Sequence, residues 1–202
     1  IYYQCSSIGM SENYVKEYKR EHKKSTSFEQ ILSNFRMNAV QRSLSKRGPD
    51  SVLEIGCGFN PGFTEGPSVD NWTVIEPEHE FVEYAREQAD DTVEIIEGRV
   101  EKKAEELGTF DFISVSSVLH EVSNPDELMN SVRRLADNKT LIHINVPNAN
   151  SFHRVLADHM GIIDSVFESS QKDERFERNE HFNRQNLIEY VVESGFDVVG
   201  SG

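Results

Sequence analysis

Residues 52 to 62 read VLEIGCGFNPG, an apolar run that enters a glycine-rich turn. A buried strand, a tight glycine turn and a following helix form the opening unit of nucleotide-binding α/β folds. The rest of the chain keeps that rhythm. Segments 51–55, 72–76, 92–97, 110–116, 140–147 and 196–201 have the apolar, β-branched character of strands. Between them, 77–89, 100–108, 125–137 and 183–195 carry helical spacing, with Pro77 and Pro125 in first turns and Gly195 at an end. The alternation predicts a doubly wound, mainly parallel sheet with helices on both faces.

Two helices are expected ahead of the first strand, at 11–24 and 27–46. Ser27 opens a Ser-x-x-Gln capping box, and Phe28, Ile31, Leu32 and Phe35 follow at helical spacing. Gly48-Pro49-Asp50 stops the second helix. Residues 1–46 thus read as a helical segment that packs on the sheet or closes over a ligand, and 47–202 as the core. The stretch from about 150 to 182 breaks the rhythm and is rich in charge, as expected of a cap-like insertion over a site.

A formal net charge of −14 opposes a polyanion partner, and the basic run at 16–24 is short and mixed with acids. A small-molecule partner is expected rather than nucleic acid. No apolar run approaches the length of a membrane span, and the N-terminus lacks the order of a signal peptide. With two distant cysteines, Cys5 and Cys57, no disulfide framework or zinc site is expected, and the setting reads as cytoplasmic. The chain opens on Ile1 rather than Met, so it is expected to start inside a longer product.

Ligands of open α/β sheets lie at the carboxyl ends of the strands. The dinucleotide fingerprint Gly-x-Gly-x-x-Gly is not met there: Gly56 and Gly58 fit, Pro61 takes the third place, and Gly62 comes one residue late. Glu54, two residues before Gly56, would repel a pyrophosphate but suits a cationic ligand. A phosphate-binding Gly-Lys-Ser/Thr is absent.

LEIGCGFNPG resembles the first motif of class I S-adenosylmethionine (SAM)-dependent methyltransferases, hydrophobic-Glu/Asp-hydrophobic-Gly-x-Gly. The resemblance implies a Rossmann-like sheet of seven strands with the last antiparallel; no seventh strand is visible in this sequence. It implies that Glu54 helps hold the methionine part, and that Gly56, Cys57 and Gly58 pass close under the cofactor. Glu76, followed by Pro77, closes the second strand, where a carboxylate can accept ribose hydroxyls. The family often places an acid after the third strand; here stand Arg99, a candidate to stack on adenine, and Val100, whose neighbouring backbone could read it. FDFISVSSVLHEVSNPDELM resembles the fourth motif, setting Ser116 and Leu119 against the cofactor and making His120 the nearest match to a family histidine.

The segment VPNANSFHR is similar to a subset of small-molecule methyltransferases with VPNA-x-S-x-HR after the fifth strand. By that resemblance His120, His153 and His181 are catalytic candidates, because deprotonating a hydroxyl acceptor needs a base that titrates near neutrality. Asn148, Asn150, Arg154 and Arg184 become candidates to orient the acceptor. His143, alternating inside the fifth strand, reads as structural. HEVSN fails the His-Glu-x-x-His pattern, so no metal is expected. The expectation is a SAM-dependent enzyme, S-adenosylhomocysteine (SAH) its product, methylating a hydroxyl of a sugar or secondary metabolite. Two alternatives stay open: a non-catalytic SAM-binding regulator or subunit, and an NAD-dependent reductase or epimerase. Glu54, Pro61 and the lack of a Tyr-x-x-x-Lys pair stand against the latter.

Overall fold

A computed structural model describes residues 28–169 and 181–202. The expected helix at 11–24 and the Ser27 cap lie outside these residues. Five strands form one parallel sheet: β1 (Ser51–Ile55), β2 (Asn71–Glu76), β3 (Val93–Glu97), β4 (Phe112–Ser116) and β5 (Leu141–Asn145), in the order β3-β2-β1-β4-β5. β1, β2 and β4 are buried almost throughout, which is why they read as continuous apolar runs rather than alternating ones. The edge strands β3 and β5 are only partly buried.

Helix α1 (Phe28–Arg47) and helix α2 (His79–Gln88) cover one face of the sheet. Val40 and Leu44 of α1 and Ala85 of α2 pack there with Val52, Trp72, Val74 and Phe112. The amphipathic stripe expected from Ile31 and Phe35 is not what seats α1: both are more than half exposed, and its second half makes the contact. The opposite face is covered by α3 (Val100–Lys103) and α4 (Pro125–Arg134). Leu128, Met129 and Val132 of α4 bury against Leu53, Ile75, Ile113 and Val115.

Local chemistry sets the element ends. The Asn124 side chain accepts the Glu127 N–H, Pro125 stands in the first turn, and Arg133 and Arg134 lie in the last, where the helix dipole favours cations. Asp111 Oδ2 accepts the N–H (2.9 Å) and Oγ–H (2.9 Å) of Ser51, tying the entry of β4 to the entry of β1. After β5 come α5 (Phe152–His159) and α6 (Arg184–Glu193), the latter opened by a capping box between Asn183 and Asn186.

The sixth strand expected at 196–201 does not form. Phe196 packs on the α4 side of the core, but the segment pairs with none of the five described strands, and Val199 is 82% exposed. Strand propensity alone does not bring a segment into a ladder. No helix among the described residues is long and apolar enough to cross a membrane.

Candidate active site

Parallel register aligns one end of every strand. Glu97, Glu76, Ser116 and Asn145 finish β3, β2, β4 and β5, and the glycine turn leaves β1 between β2 and β4. The turn is bent by Gly56 (φ 72°) and Gly58 (φ 54°), both in the left-handed region that glycine tolerates. Gly56 is required on a second count, since a Cβ there would stand 2.7 Å from Val118 Cγ2. Phe59 fastens the turn to α2 through edge-on contacts with Phe81 (4.6 Å) and Tyr84 (5.3 Å). Gln41 of α1 reaches it too, its Nε2 donating to the Gly62 carbonyl at 2.9 Å.

Two buried carboxylates organise this turn. The Gly62 N–H donates to Glu54 Oε1 (2.9 Å) and Oε2 (3.0 Å), and the Trp72 indole N–H donates to Oε2 (3.2 Å). Burial pushes the Glu54 carboxyl up to about 7, against the pull of the Gly62 and Trp72 bonds. Glu76 Oε2 accepts the N–H of Cys57 (2.9 Å) and of Gly58 (3.2 Å), and Oε1 accepts that of Glu78 (3.0 Å). Burial raises its pKa as well, opposed by these three bonds. A carboxylate offers about four acceptor positions, so Glu76 keeps capacity for a further donor. The Cys57 thiol is also pushed up by burial, which makes it an inert core group rather than a nucleophile.

The remaining candidates occupy different surroundings. Pro77 is half-buried beyond β2, and Arg99 stands half-buried at the N-terminus of α3. The side chains of Val100 and Leu119 are fully buried in the α4-side core, so only their backbone can meet a ligand. Ser116 is half-buried, bonded to Asn145. His120 is buried, with Nε2 3.5 Å from Glu121 Oε1. His153 is exposed on α5, whereas His181 is half-buried next to Phe182, which forms a bridge to Asn148. The Ala149 N–H donates to the Phe182 carbonyl at 2.7 Å, so the segment ahead of α6 returns to the carboxyl end of β5.

Asn148 and Asn150 are exposed, and Asn148 Oδ1 accepts the Asn150 N–H at 2.9 Å. Arg154 is turned to backbone, donating to the carbonyls of Val166 and Glu168, and thereby ties α5 to the segment that follows it. Arg184 is exposed and donates to Ser201 Oγ at 2.7 Å. Among the described residues no group of His, Cys, Asp and Glu could hold a metal ion. Sequence reasoning missed Ser117, a non-glycine residue at φ 62°, and Asn145, which grips it. A left-handed serine has no sequence signature.

A methyltransferase-domain family matches residues 29–201, nearly the whole described chain. The chain belongs to that family. SAM is its cofactor, and the site fits the adenosine end: a buried carboxylate with spare acceptor capacity closes β2 beside a turn bent by two left-handed glycines. No curated protein is a significant match. Solved structures share the fold at low identity. The plantazolicin methyltransferase BamL, crystallised with a triazolic desmethylPZN analog and SAH, is 17% identical with a TM-score of 0.63, over 91% of this chain and 72% of its own. A SAM-dependent methyltransferase from Thermotoga maritima is 16% identical with a TM-score of 0.62, over 92% of this chain and 81% of its own. A Haloferax volcanii structure with the methyltransferase activator Trm112 gives 12% and 0.67, over 95% and 80%.

Proposed function

We propose that this methyltransferase alkylates a hydroxyl group of a small polar acceptor, in the class of sugars and secondary metabolites, with His120 as the base. The observation that carries the reading is the place of His120, buried with Glu121 at Nε2 in the segment that follows the carboxyl end of β4. A histidine beside a carboxylate can take a hydroxyl proton and hold it as imidazolium. When bound, SAM supplies a sulfonium methyl group for in-line attack by the acceptor oxygen.

The chain's own residues bind, orient and exclude water. Glu76 takes the ribose hydroxyls with its remaining acceptor capacity. Gly56, Cys57 and Gly58 let the backbone approach, and Glu54 holds the turn from below, its charge favouring the cationic end. Arg99, Pro77 and the backbone at Val100 border the base, while Ser116 and the backbone at Leu119 border the reacting end. His153, His181, Asn148, Asn150 and Arg184 face the acceptor. Arg154 serves it indirectly, by strapping the cap through Val166 and Glu168. Helix α1, the described part of the expected 1–46 segment, serves as a lid as well as a packing element, supported by the Gln41 bond to the glycine turn.

A second reading of the acceptor rests on α5. Phe152, Leu156 and Met160 recur every four residues along one face and are 83%, 46% and 64% exposed. That stripe suits an acceptor whose hydroxyl sits on an apolar body.

Methyl transfer from labelled SAM to panels of sugars and apolar phenols tests both readings. Turnover on a hydroxyl acceptor that falls about 100-fold or more in His120→Ala, with SAH affinity kept, supports the assignment. Transfer to amines alone, or full turnover in His120→Ala, overturns it.

A further inference from the structure

A chain of polar side chains runs from α1 to the bend after β4. The Ser43 hydroxyl lies 3.1 Å from the Ala39 carbonyl and 3.0 Å from His143 Nδ1. His143 Nε2 is 3.3 Å from Asn145 Nδ2, which is 3.0 Å from Ser116 Oγ. Asn145 Oδ1 is 3.4 Å from Ser117 Oγ, and the Asn145 carbonyl accepts the Ser117 N–H at 2.9 Å.

The direction of each bond follows from the hydrogens available. Ser43 has one hydroxyl hydrogen, and the Ala39 carbonyl can only accept it. With that hydrogen on Ala39, Ser43 Oγ accepts from His143, which places the proton of the neutral ring on Nδ1. The bare Nε2 accepts one amide hydrogen of Asn145, and the other goes to Ser116 Oγ. Asn145 Oδ1 is left to accept from the hydroxyls of Ser116, at 3.2 Å, and Ser117. Burial lowers the His143 pKa, in keeping with a neutral ring. Ser117 holds φ 62°, a conformation a non-glycine residue keeps only when its surroundings determine it several times over. Asn145 supplies two of those determinants, one from its backbone and one from its side chain.

We propose that Asn145 is a positioning residue for methyl transfer: it sets the Ser116–Ser117 bend at the reacting end of the site, and His143, as its Nδ1–H tautomer, fixes which way the Asn145 amide points. The inference rests on the methyl-transfer reading, because it is that reading which puts the reacting end beside Ser116. The chain would also make the placement of α1, which carries Ser43, part of the site's geometry.

Two measurements separate this inference from the reading beneath it. The first is long-range nitrogen–proton NMR of the histidine rings in the intact protein, with His143 assigned through His143→Gln. The proposal expects the Nδ1–H tautomer; the Nε2–H tautomer overturns it, whatever the protein binds. The second is SAH titration across pH for the wild type and Asn145→Asp. The aspartate keeps the shape but turns the donor toward His143 into an acceptor, so with the Nδ1–H still held on Ser43 the ring restores the bond only by taking a second proton. Its pKa should rise above the wild-type value, and SAH affinity above that pKa should fall about five- to tenfold and recover on acidification. A role confined to general stability would not make affinity follow the protonation of His143. Equal affinity of the two proteins at every pH overturns the proposal. If the wild type binds no SAH, the methyl-transfer reading fails and takes the positioning role with it, while the tautomer still decides the bond pattern.

Discussion

The Cys57 backbone N–H donates to Glu76 Oε2 at 2.9 Å, so the acid that closes β2 holds the turn that leaves β1. Gly58 adds a second N–H to the same oxygen. One carboxylate thus shapes the turn and, in the proposed site, also takes the ribose hydroxyls. Replacing Glu76 by Ala removes the proposed ribose acceptor and strands three N–H groups. SAH affinity is expected to fall by about 1–3 kcal/mol, with a melting temperature below that of the wild type. Calorimetry and thermal melts measure the two losses, and Glu76→Gln, which keeps one carbonyl acceptor, should lie between.

Gly56 meets two restrictions at once: its φ is 72°, and a Cβ would press on Val118 Cγ2 at 2.7 Å. Gly56→Ala is therefore expected to destabilise the fold by about 1–3 kcal/mol. Pairing it with Val118→Ala opens the space but leaves the backbone strain. Chemical denaturation should show the double variant recovering part of the loss relative to Val118→Ala alone. Full recovery would mean that φ is not a constraint.

Glu54 has a sign that can be checked against pH. Its carboxyl is raised to about 7 from an ordinary 4.5, so the folded state holds the proton more tightly than the unfolded chain does. Below the lower value both states are protonated and the group is neutral in its effect. As pH rises toward the upper value the buried charge becomes a growing penalty, on the order of 3 kcal/mol when complete. Glu54→Gln carries no such penalty. Its stability relative to the wild type should improve as pH rises from about 4.5 to about 7 and level off above that, as measured by denaturation at each pH. A constant difference would show that Glu54 is not a buried titrating group.

What the sequence disclosed, and what it did not, has a physical basis. The five strands were legible because β1, β2 and β4 are buried on both faces and read as apolar runs. Glu54 and Glu76 stood out because an acid in or closing such a run needs a reason. The sequence could not show that Glu54 is engaged by Gly62 and Trp72, since those bonds depend on how the turn folds back. Phe196–Ser201 was read as a strand from propensity, which is blind to whether the fold brings the segment to a sheet edge. Phe35 had the right helical spacing but lies on the half of α1 that does not meet the core. Arg154 was read as an acceptor contact from its motif; its guanidinium finds backbone carbonyls twelve and fourteen residues on. Ser117 and Asn145 escaped notice because a left-handed serine and its anchor carry no local pattern.

The most direct test of the account is parallel calorimetric titration of the protein with SAM, SAH and NAD. The account predicts binding of the first two at about micromolar affinity, no heat from NAD, and a clear loss of SAH affinity in Glu76→Ala. Binding of NAD with silence for SAM and SAH, or SAH affinity unchanged in a folded Glu76→Ala, would contradict it.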